Sequence, residues 1–325
     1  MSQLNQSRAC RKDKSKAALM TNTTSPPKPG FLTTFEPGIA MILAPNASPM
    51  TYWGTNTWLI GSDRLAVIDP GPQDESHLRA ILDGINGRPV DYILVTHAHV
   101  DHSPLAVDLA RTVDAPILAY GAATAGQLPH MRDLAASGLA GGGEGVDDCF
   151  TPDQILQDGG MVMVDGRRLH ALHTPGHMSN HLCFAYETPG ADDALFSGDH
   201  VMGWASSLVS PPDGDLTAFM ASCEKLAARQ DRIYYPGHGA PITDPAARLE
   251  WLINHRRSRE SQIVAILRTA PQNAATLAKM IYTEVNPALL PAAERNVLAH
   301  LIDLSQRNLA RPIGDLSAKV HFELL

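Results

Sequence analysis

Between positions 97 and 102 the chain sets three histidines and one aspartate in an H-x-H-x-D-H run, His97-Ala98-His99-Val100-Asp101-His102. The run follows directly on the apolar segment Tyr92-Ile93-Leu94-Val95. A short apolar run of that kind reads as a buried strand, so the ligand-type side chains fall on the loop at its tip. Imidazole suits zinc, iron, manganese or nickel, and a carboxylate adds a harder oxygen donor. The constraint on the fold is severe, because further donors must reach that tip from distant parts of the chain. Three candidates follow in order: His177 in Thr-Pro-Gly-His, Asp199 in Ser-Gly-Asp-His and His238 in Tyr-Pro-Gly-His-Gly. A single histidine is more often a hydrogen-bonded core or surface residue; the density of the run, and the glycines beside the later three, are what separate this pattern from that reading. Seven donors exceed what one tetrahedral ion takes. They match two ions sharing a bridging carboxylate and a water.

The order H-x-H-x-D-H, T-P-G-H, G-D, P-G-H-G resembles the metallo-β-lactamase-fold hydrolase superfamily, over roughly Phe31 to Trp251. Gly54-Thr55-Asn56-Thr57-Trp58-Leu59-Ile60-Gly61 and Ala66-Val67-Ile68-Asp69-Pro70-Gly71-Pro72 are similar to its opening strands. The resemblance implies an α/β fold, an αββα sandwich with the metal loops along one edge of its two sheets. It also implies the ligand sets: His97, His99 and His177 for one ion, Asp101, His102 and His238 for the other, and Asp199 as the bridge. Two Zn²⁺ ions are the expected cofactors, with manganese or iron as alternatives. A hydroxide bridging them would cleave an ester, thioester or phosphodiester bond, with Asp101 both ligating and orienting the nucleophile. Asp69 is expected to bond the metal loop from outside the ligand set, His181 and His200 to be structural, and Trp53 to sit beneath a strand end or form a lip beside the metals.

The periodicities fill in the remaining elements. Thr55–Gly61 and Arg64–Asp69 read as a hairpin, and Glu75–Ile85 as a helix closed by Asn86-Gly87. Ser103-Pro104 reads as the capped start of a helix through Arg111. Gln127 to Asp158, with Gly141-Gly142-Gly143-Glu144-Gly145, reads as an irregular mobile loop over the cleft. Strands are expected at Leu169–His173, His181–Tyr186, Ala194–Gly198 and Arg232–Tyr235, with a helix at Leu216–Arg229. Every candidate ligand therefore lies at or just past the C-terminal end of a strand, where α/β folds place their sites.

Character changes near Asn254. Ser258–Thr269, Ala274–Tyr282 and Pro291–Gln306 are helical by pattern, and Ala318–Leu325 reads as a terminal strand. This resembles the small winged-helix-like domain of one superfamily subgroup, β-lactamase-like proteins that include an organellar endoribonuclease. The expected division is a disordered tail over 1–30, a hydrolase domain over 31–251 and a winged-helix-like domain over 252–325. The last carries nine basic against six acidic residues on a chain of net charge −8. That mild excess raises two alternatives, cleavage of single-stranded RNA and a nucleic-acid-binding module beside an incidental hydrolase domain. A packing cap or homodimer contact is the plainer role for such helices.

Aspartate at 199 stands where the commonest zinc β-lactamases use cysteine, so lactam cleavage is not favoured. Cys10, Cys149, Cys183 and Cys223 are scattered with no C-x-x-C spacing and read as reduced thiols of a cytoplasmic chain. No apolar run reaches membrane-spanning length. The first thirty residues lack a secretory apolar core, and Arg8, Arg11, Lys12, Lys14 and Lys16 there fit a disordered tail better than an organellar transit peptide.

Overall fold

The computed structural model describes residues 25–138 and 145–325. Most of the expected tail, Cys10 and the Gly141-Gly142-Gly143-Glu144 stretch fall outside that set. Two sheets form the body. The first has the order β1 (Leu32–Glu36), β2 (Ile39–Leu43), β3 (Asn56–Ile60), β4 (Leu65–Ile68), β5 (Val90–Leu94), β6 (Ile117–Ala119) and β7 (Gln154–Ile155). Its first four strands are antiparallel; β4 to β7 run parallel. The second orders β12 (Ile233–Pro236), β11 (Ala194–Gly198), β10 (Leu182–Tyr186), β9 (Arg167–His173) and β8 (Met161–Val164), with only β11 and β12 parallel.

The strands alternate between two buried faces, which is why they read as continuous apolar runs. Trp58 and Ile60 of β3 and Phe184 and Tyr186 of β10 meet in the core between the sheets. Leu59 of β3 turns outward beneath α1 (Glu75–Ile85) and α2 (Ala106–Val113). Cys183 and Ala185 of β10 turn outward beneath α4 (Leu216–Ala227) and α5 (Pro245–Leu267). The layering is αββα, as the sequence predicts. Asp74 caps α1, its carboxylate accepting from His77 N–H, and Asn86 ends it in the left-handed conformation.

Two expectations need correction. Ser103 does not cap α2, which begins at Ala106 with Leu105 at its cap and no side-chain bond there. The Ser103 hydroxyl is committed instead to Asp147, 2.7 Å away, and to the His99 carbonyl. The segment 127–158 is also less irregular than read, for it contains α3 (Pro129–Ala136) and β7. Its Gly145-Val146-Asp147 part is pinned to the metal-loop run: Val100 N–H donates to Gly145 O at 2.7 Å and Asp147 N–H to Ala98 O at 2.9 Å.

The C-terminal unit packs α6 (Ala274–Ile281), α7 (Leu290–Gln306) and the end of α5 around their own core, with Leu277, Leu301 and Phe322 at its centre. The antiparallel pair β13 (Ala310–Pro312) and β14 (Phe322–Leu324) completes it. Helix α5 begins at Pro245 rather than Ser258, with Asp244 as its cap, so it runs unbroken through position 251. Arg256 on α5 is buried and bonds both the Ser207 carbonyl and Asn296 of α7. No helix among the described residues is long and apolar enough to cross a membrane.

Candidate metal centre

Four loops deliver the seven predicted donors to one end of the sandwich. The 97–102 loop leaves β5, His177 follows β9, Asp199 follows β11 and His238 follows β12. The two sheets are tied at this end: Leu182 N–H donates to Thr96 O at 2.8 Å, and Asn56 N–H to Gly237 O at 2.8 Å. Asp69, just past β4, has a left-handed backbone (φ 50°). Aspartate tolerates that conformation better than most residues, and here the carboxylate lies under the loop. Its Oδ1 accepts Thr96 N–H and its Oδ2 accepts the Thr96 hydroxyl, both at 2.7 Å; Oδ2 also accepts from His102 Nδ1 at 3.0 Å.

The donor atoms fall into overlapping groups. His97 Nε2 and His177 Nε2 lie 2.9 Å and 3.1 Å from His99 Nδ1. His238 Nε2 lies 3.2 Å from Asp101 Oδ2 and 3.3 Å from His102 Nε2. Asp199 reaches both sets, with Oδ2 3.3 Å from His238 Nε2 and 3.7 Å from His177 Nε2, and Oδ1 3.6 Å from His102 Nε2. Three triads, His97–His99–His177, His97–His102–Asp199 and Asp101–His102–His238, are each compact enough to hold an ion.

Hydrogen bonds on the far side of four of the five donor rings fit the cage to metal. His177 Nδ1 donates to the Leu208 carbonyl at 2.7 Å, and His238 Nδ1 to the Gly54 carbonyl at 3.0 Å. His102 Nδ1 donates to Asp69. Thr96 spends its own proton on Asp69, so its oxygen accepts from His97 Nδ1 at 2.9 Å. A neutral imidazole carries one proton. In the neutral form of these four rings it sits outside, and the Nε2 lone pair points inward, free for a metal once any second proton on His102 or His238 is displaced. Lone pairs facing each other across about 3 Å repel unless a cation lies among them. Asp199 Oδ1 is likewise buried without a hydrogen-bond partner. The residues fit metal ions, and the imidazole-rich set with two carboxylates suits zinc, manganese or iron.

Residues 50–238 match the family model for the metallo-beta-lactamase superfamily, and residues 274–319 that for the beta-lactamase associated winged helix domain. The chain belongs to the metallo-beta-lactamase superfamily. It is 34% identical over 232 residues to the lactamase-like protein aptB of Emericella nidulans, covering 70% of this chain and 65% of that one, just under two thirds of its length. It is 32% identical to the beta-lactamase-like protein 2 homolog of Drosophila melanogaster, covering 86% of this chain and 92% of the relative. An atrochrysone carboxyl ACP thioesterase of Claviceps purpurea is 29% identical over 94% of this chain and 89% of its own. A beta-lactamase domain protein from Burkholderia ambifaria shares the fold, with a TM-score of 0.75 at 21% identity over 93% of this chain and 96% of its own.

Other expectations sort cleanly in this superfamily member. His181 is structural: its Nε2 accepts the Asp199 N–H at 3.2 Å and its Nδ1 donates to Thr174 at 2.9 Å. His200 is buried against Phe219 and Cys223, away from the donor triads. Trp53 is no lip beside the metals; it stacks on Tyr52, which stacks on Trp204. Met50, Thr51 and Gly145 line the mouth over the donors instead. Sequence reasoning missed Leu208, whose carbonyl orients His177. The C-terminal unit clamps that segment, as Asn296 accepts Val209 N–H at 3.0 Å and Arg295 Nε donates to Ser210 Oγ at 2.9 Å. A carbonyl carries no residue-type signal, so nothing in the sequence could have marked Leu208.

The two sides of the cage differ in their protons. Burial lowers His97 well below its ordinary value, and His99 falls to about 3 through burial and its His177 neighbour. Burial also opposes charge on His238, but Asp199 and Asp101 outweigh it and raise the ring to about 10. His102 is raised in the same way by Asp101, Asp199 and Asp69. Metal and proton compete for these lone pairs. At neutral pH an ion entering the Asp101–His102–His238 side must displace protons, and its affinity is expected to rise with pH, about tenfold per unit per proton displaced. On the His97–His99–His177 side affinity should stay nearly flat. Calorimetric titration in buffers of different ionisation enthalpy counts the protons; equal release at both steps would contradict the assignment. Asp69→Asn retains the shape but weakens the acceptor for His102. It is expected to cut affinity on that side by about 10- to 100-fold, as read by competition with a chromophoric chelator.

Proposed function

We propose that this chain is a binuclear metal-dependent hydrolase acting on small ester or thioester substrates. His97, His99 and His177 would hold one zinc ion and Asp101, His102 and His238 the other, with Asp199 between them. Manganese or iron fits the same donors. The observation that carries the reading is the convergence of bare ring nitrogens fixed from behind by Asp69, Thr96, Leu208 and Gly54. Divalent metal held by these residues would supply an acidified water and Lewis-acid polarisation of the acyl carbonyl. The chain's own groups do the rest. Asp101 is 21% exposed at its side chain and faces the cavity, so it can take the proton of the attacking water and return it to the leaving sulfur or oxygen. Oxygen adds to the acyl carbon, the C–S or C–O bond breaks, and a carboxylate and a thiol or alcohol leave.

Thioester cleavage is favoured over the phosphodiester reading on two grounds. One relative with high coverage bears the name of a thioesterase. Five of the nine basic residues of the C-terminal unit are also engaged within the protein: Arg256 is buried, Arg295 bonds Ser210, Arg307 pairs with Glu260 and Asp303, Arg311 with Glu323 and Arg257 with Glu224. Few cations are left to track a phosphate backbone, which nucleic-acid binding requires. The division into a hydrolase domain over 31–251 and a C-terminal domain over 252–325 is part of the same reading, with α5 shared across it. The test is metal analysis of the reconstituted chain with turnover of a butanoyl thioester, a butanoyl ester and single-stranded RNA. About two ions per chain, acyl cleavage and intact RNA are expected. Full activity without metal, or RNA cleavage with the thioester untouched, overturns the proposal.

A further inference from the structure

Two cavities meet at the donors. One, of about 270 Å³, opens over Asp101 and His238 toward Thr51 and Gly145. The other, of about 310 Å³, starts at the same His177 and Asp199 and runs between the sandwich and the C-terminal unit. Its walls include Trp204 and Trp251 on one side and Tyr282, Val285 and Leu289 on the other. Among the described residues Asp199 is its one lining carboxylate and Arg259 its one lining cation of the Lys or Arg type. Arg259 stacks over Tyr282 at 4.5 Å and gives one Nη1 bond to Gln262, while its buried Nε has no hydrogen-bond partner.

We propose that the interdomain cavity holds the acyl part of the substrate, apolar along its length and ending in a carboxylate or other anionic oxygen that Arg259 receives. This rests on the acyl-hydrolase reading above and names the substrate class. The scissile carbonyl would sit at the donors, where the cavities join. The acyl group would extend along the aromatic walls, and the leaving group would occupy the smaller cavity on the solvent side. The volume suits it, since sites for small organic ligands begin near about 300 Å³ and combine apolar walls with a few placed polar groups. The charge suits it too. A guanidinium against an aromatic wall with an idle buried N–H gains most from an anionic acceptor, and the cavity's one lining carboxylate among the described residues, Asp199, belongs to the donor cage. The winged-helix unit would thus set specificity rather than bind nucleic acid.

The test uses the full metal-loaded chain and thioesters of butanoic, hexanoic, octanoic and octanedioic acids on one small thiol. The specificity constant kcat/KM is expected to rise about fourfold per added CH₂ until the cavity fills. The octanedioyl thioester should exceed the octanoyl one by about tenfold or more. Arg259→Leu should erase that preference while keeping the dependence on length. Ala292→Phe, at a half-buried lining position, should flatten the length dependence. Calorimetric binding of octanoate against octanedioate gives the same comparison without turnover, and Arg259→Leu should make the two equal. A flat length series, or equal binding of the two acids by the unsubstituted chain, overturns the assignment. Turnover of the butanoyl thioester decides the hydrolase reading separately. A chain that cleaves it with no length or charge preference keeps that reading and loses this one, whereas a chain that cleaves nothing but prefers octanedioate loses both as statements about substrate and keeps only a carboxylate-binding cavity.

Discussion

Asp199→Ala is expected to reduce kcat/KM by about a thousandfold or more, the several kcal/mol that charge stabilisation by a correctly held metal pair contributes. The side chain reaches both halves of the cage, being 3.3 Å from His238, 3.6 Å from His102 and 3.7 Å from His177. On the proposed assignment neither half would then have the shared anion that offsets two adjacent cations. Burial works against ionisation of this carboxyl, yet His238 and His102 hold it well below the usual carboxylate range. It is therefore an anion at any working pH, and the charge rather than the volume should matter. Asp199→Asn separates the two, because it keeps the shape and removes the charge. Both variants are expected to lose about one metal ion per chain and to retain the fold, since His181 holds the backbone at Asp199 N rather than the carboxylate. Metal content and steady-state rates on the same preparations check this. If Asp199→Asn keeps two ions and wild-type rates, the bridge is misassigned.

The sequence made the donors legible because their chemistry is written in residue type. Imidazole and carboxylate at the ends of apolar runs can be read without coordinates, and all seven residues named on that basis lie at one end of the sandwich. The layering came with the family resemblance of those motifs, while individual strands were legible because those buried on both faces, such as Leu182–Tyr186, stay apolar throughout. What could not be read depends on backbone and on neighbours distant in sequence. The Leu208 carbonyl that fixes His177 is invisible at the level of side chains. Ser103 carries a textually sound cap signal before Pro104, but Asp147, 44 positions away, takes its hydroxyl instead. Helix α5 starts at Pro245 rather than Ser258 because Asp244-Pro245, a fitting cap and first residue, lies before the change of character near Asn254 from which the C-terminal helices are read. Of the two places open to Trp53, the structure takes packing against the inter-sheet core, with its ring stacked on Tyr52.

Gly237→Ala is expected to be nearly as damaging as loss of a ligand, although glycine offers the ions nothing. A Cβ at this position would overlap Asp199 Oδ1 and lie 2.8 Å from His102 Cε1 and 3.3 Å from the Gly198 carbonyl carbon. None of these can withdraw easily. Gly237 N–H donates to Gly198 O at 2.8 Å, and Gly237 O accepts from Asn56 N–H at 2.8 Å, so the backbone is held by both sheets. His102 is fixed from behind by Asp69, and the Asp199 backbone by His181. The methyl group must therefore push the bridging carboxylate and one imidazole off their shared focus. Overpacking of a rigid interior costs about 1–3 kcal/mol, which a chain of this size should survive folded. Displacing ligands by a fraction of an ångström is more serious for the metal, because catalytic geometry tolerates only about 0.5 Å. The measurement is thermal unfolding with and without added zinc. A ligand that binds only the folded state raises its stability in proportion to the logarithm of its excess over Kd, so the zinc-induced rise in Tm should shrink or vanish in Gly237→Ala. Gly203→Ala supplies the control, since its new methyl would meet nothing closer than Ile242 Cγ1 at 3.5 Å, and it should keep the full rise. An unchanged zinc response in Gly237→Ala would mean that the cage has more slack than its hydrogen bonds imply, and that the positions of Asp199 and His102 are not what holds the second ion.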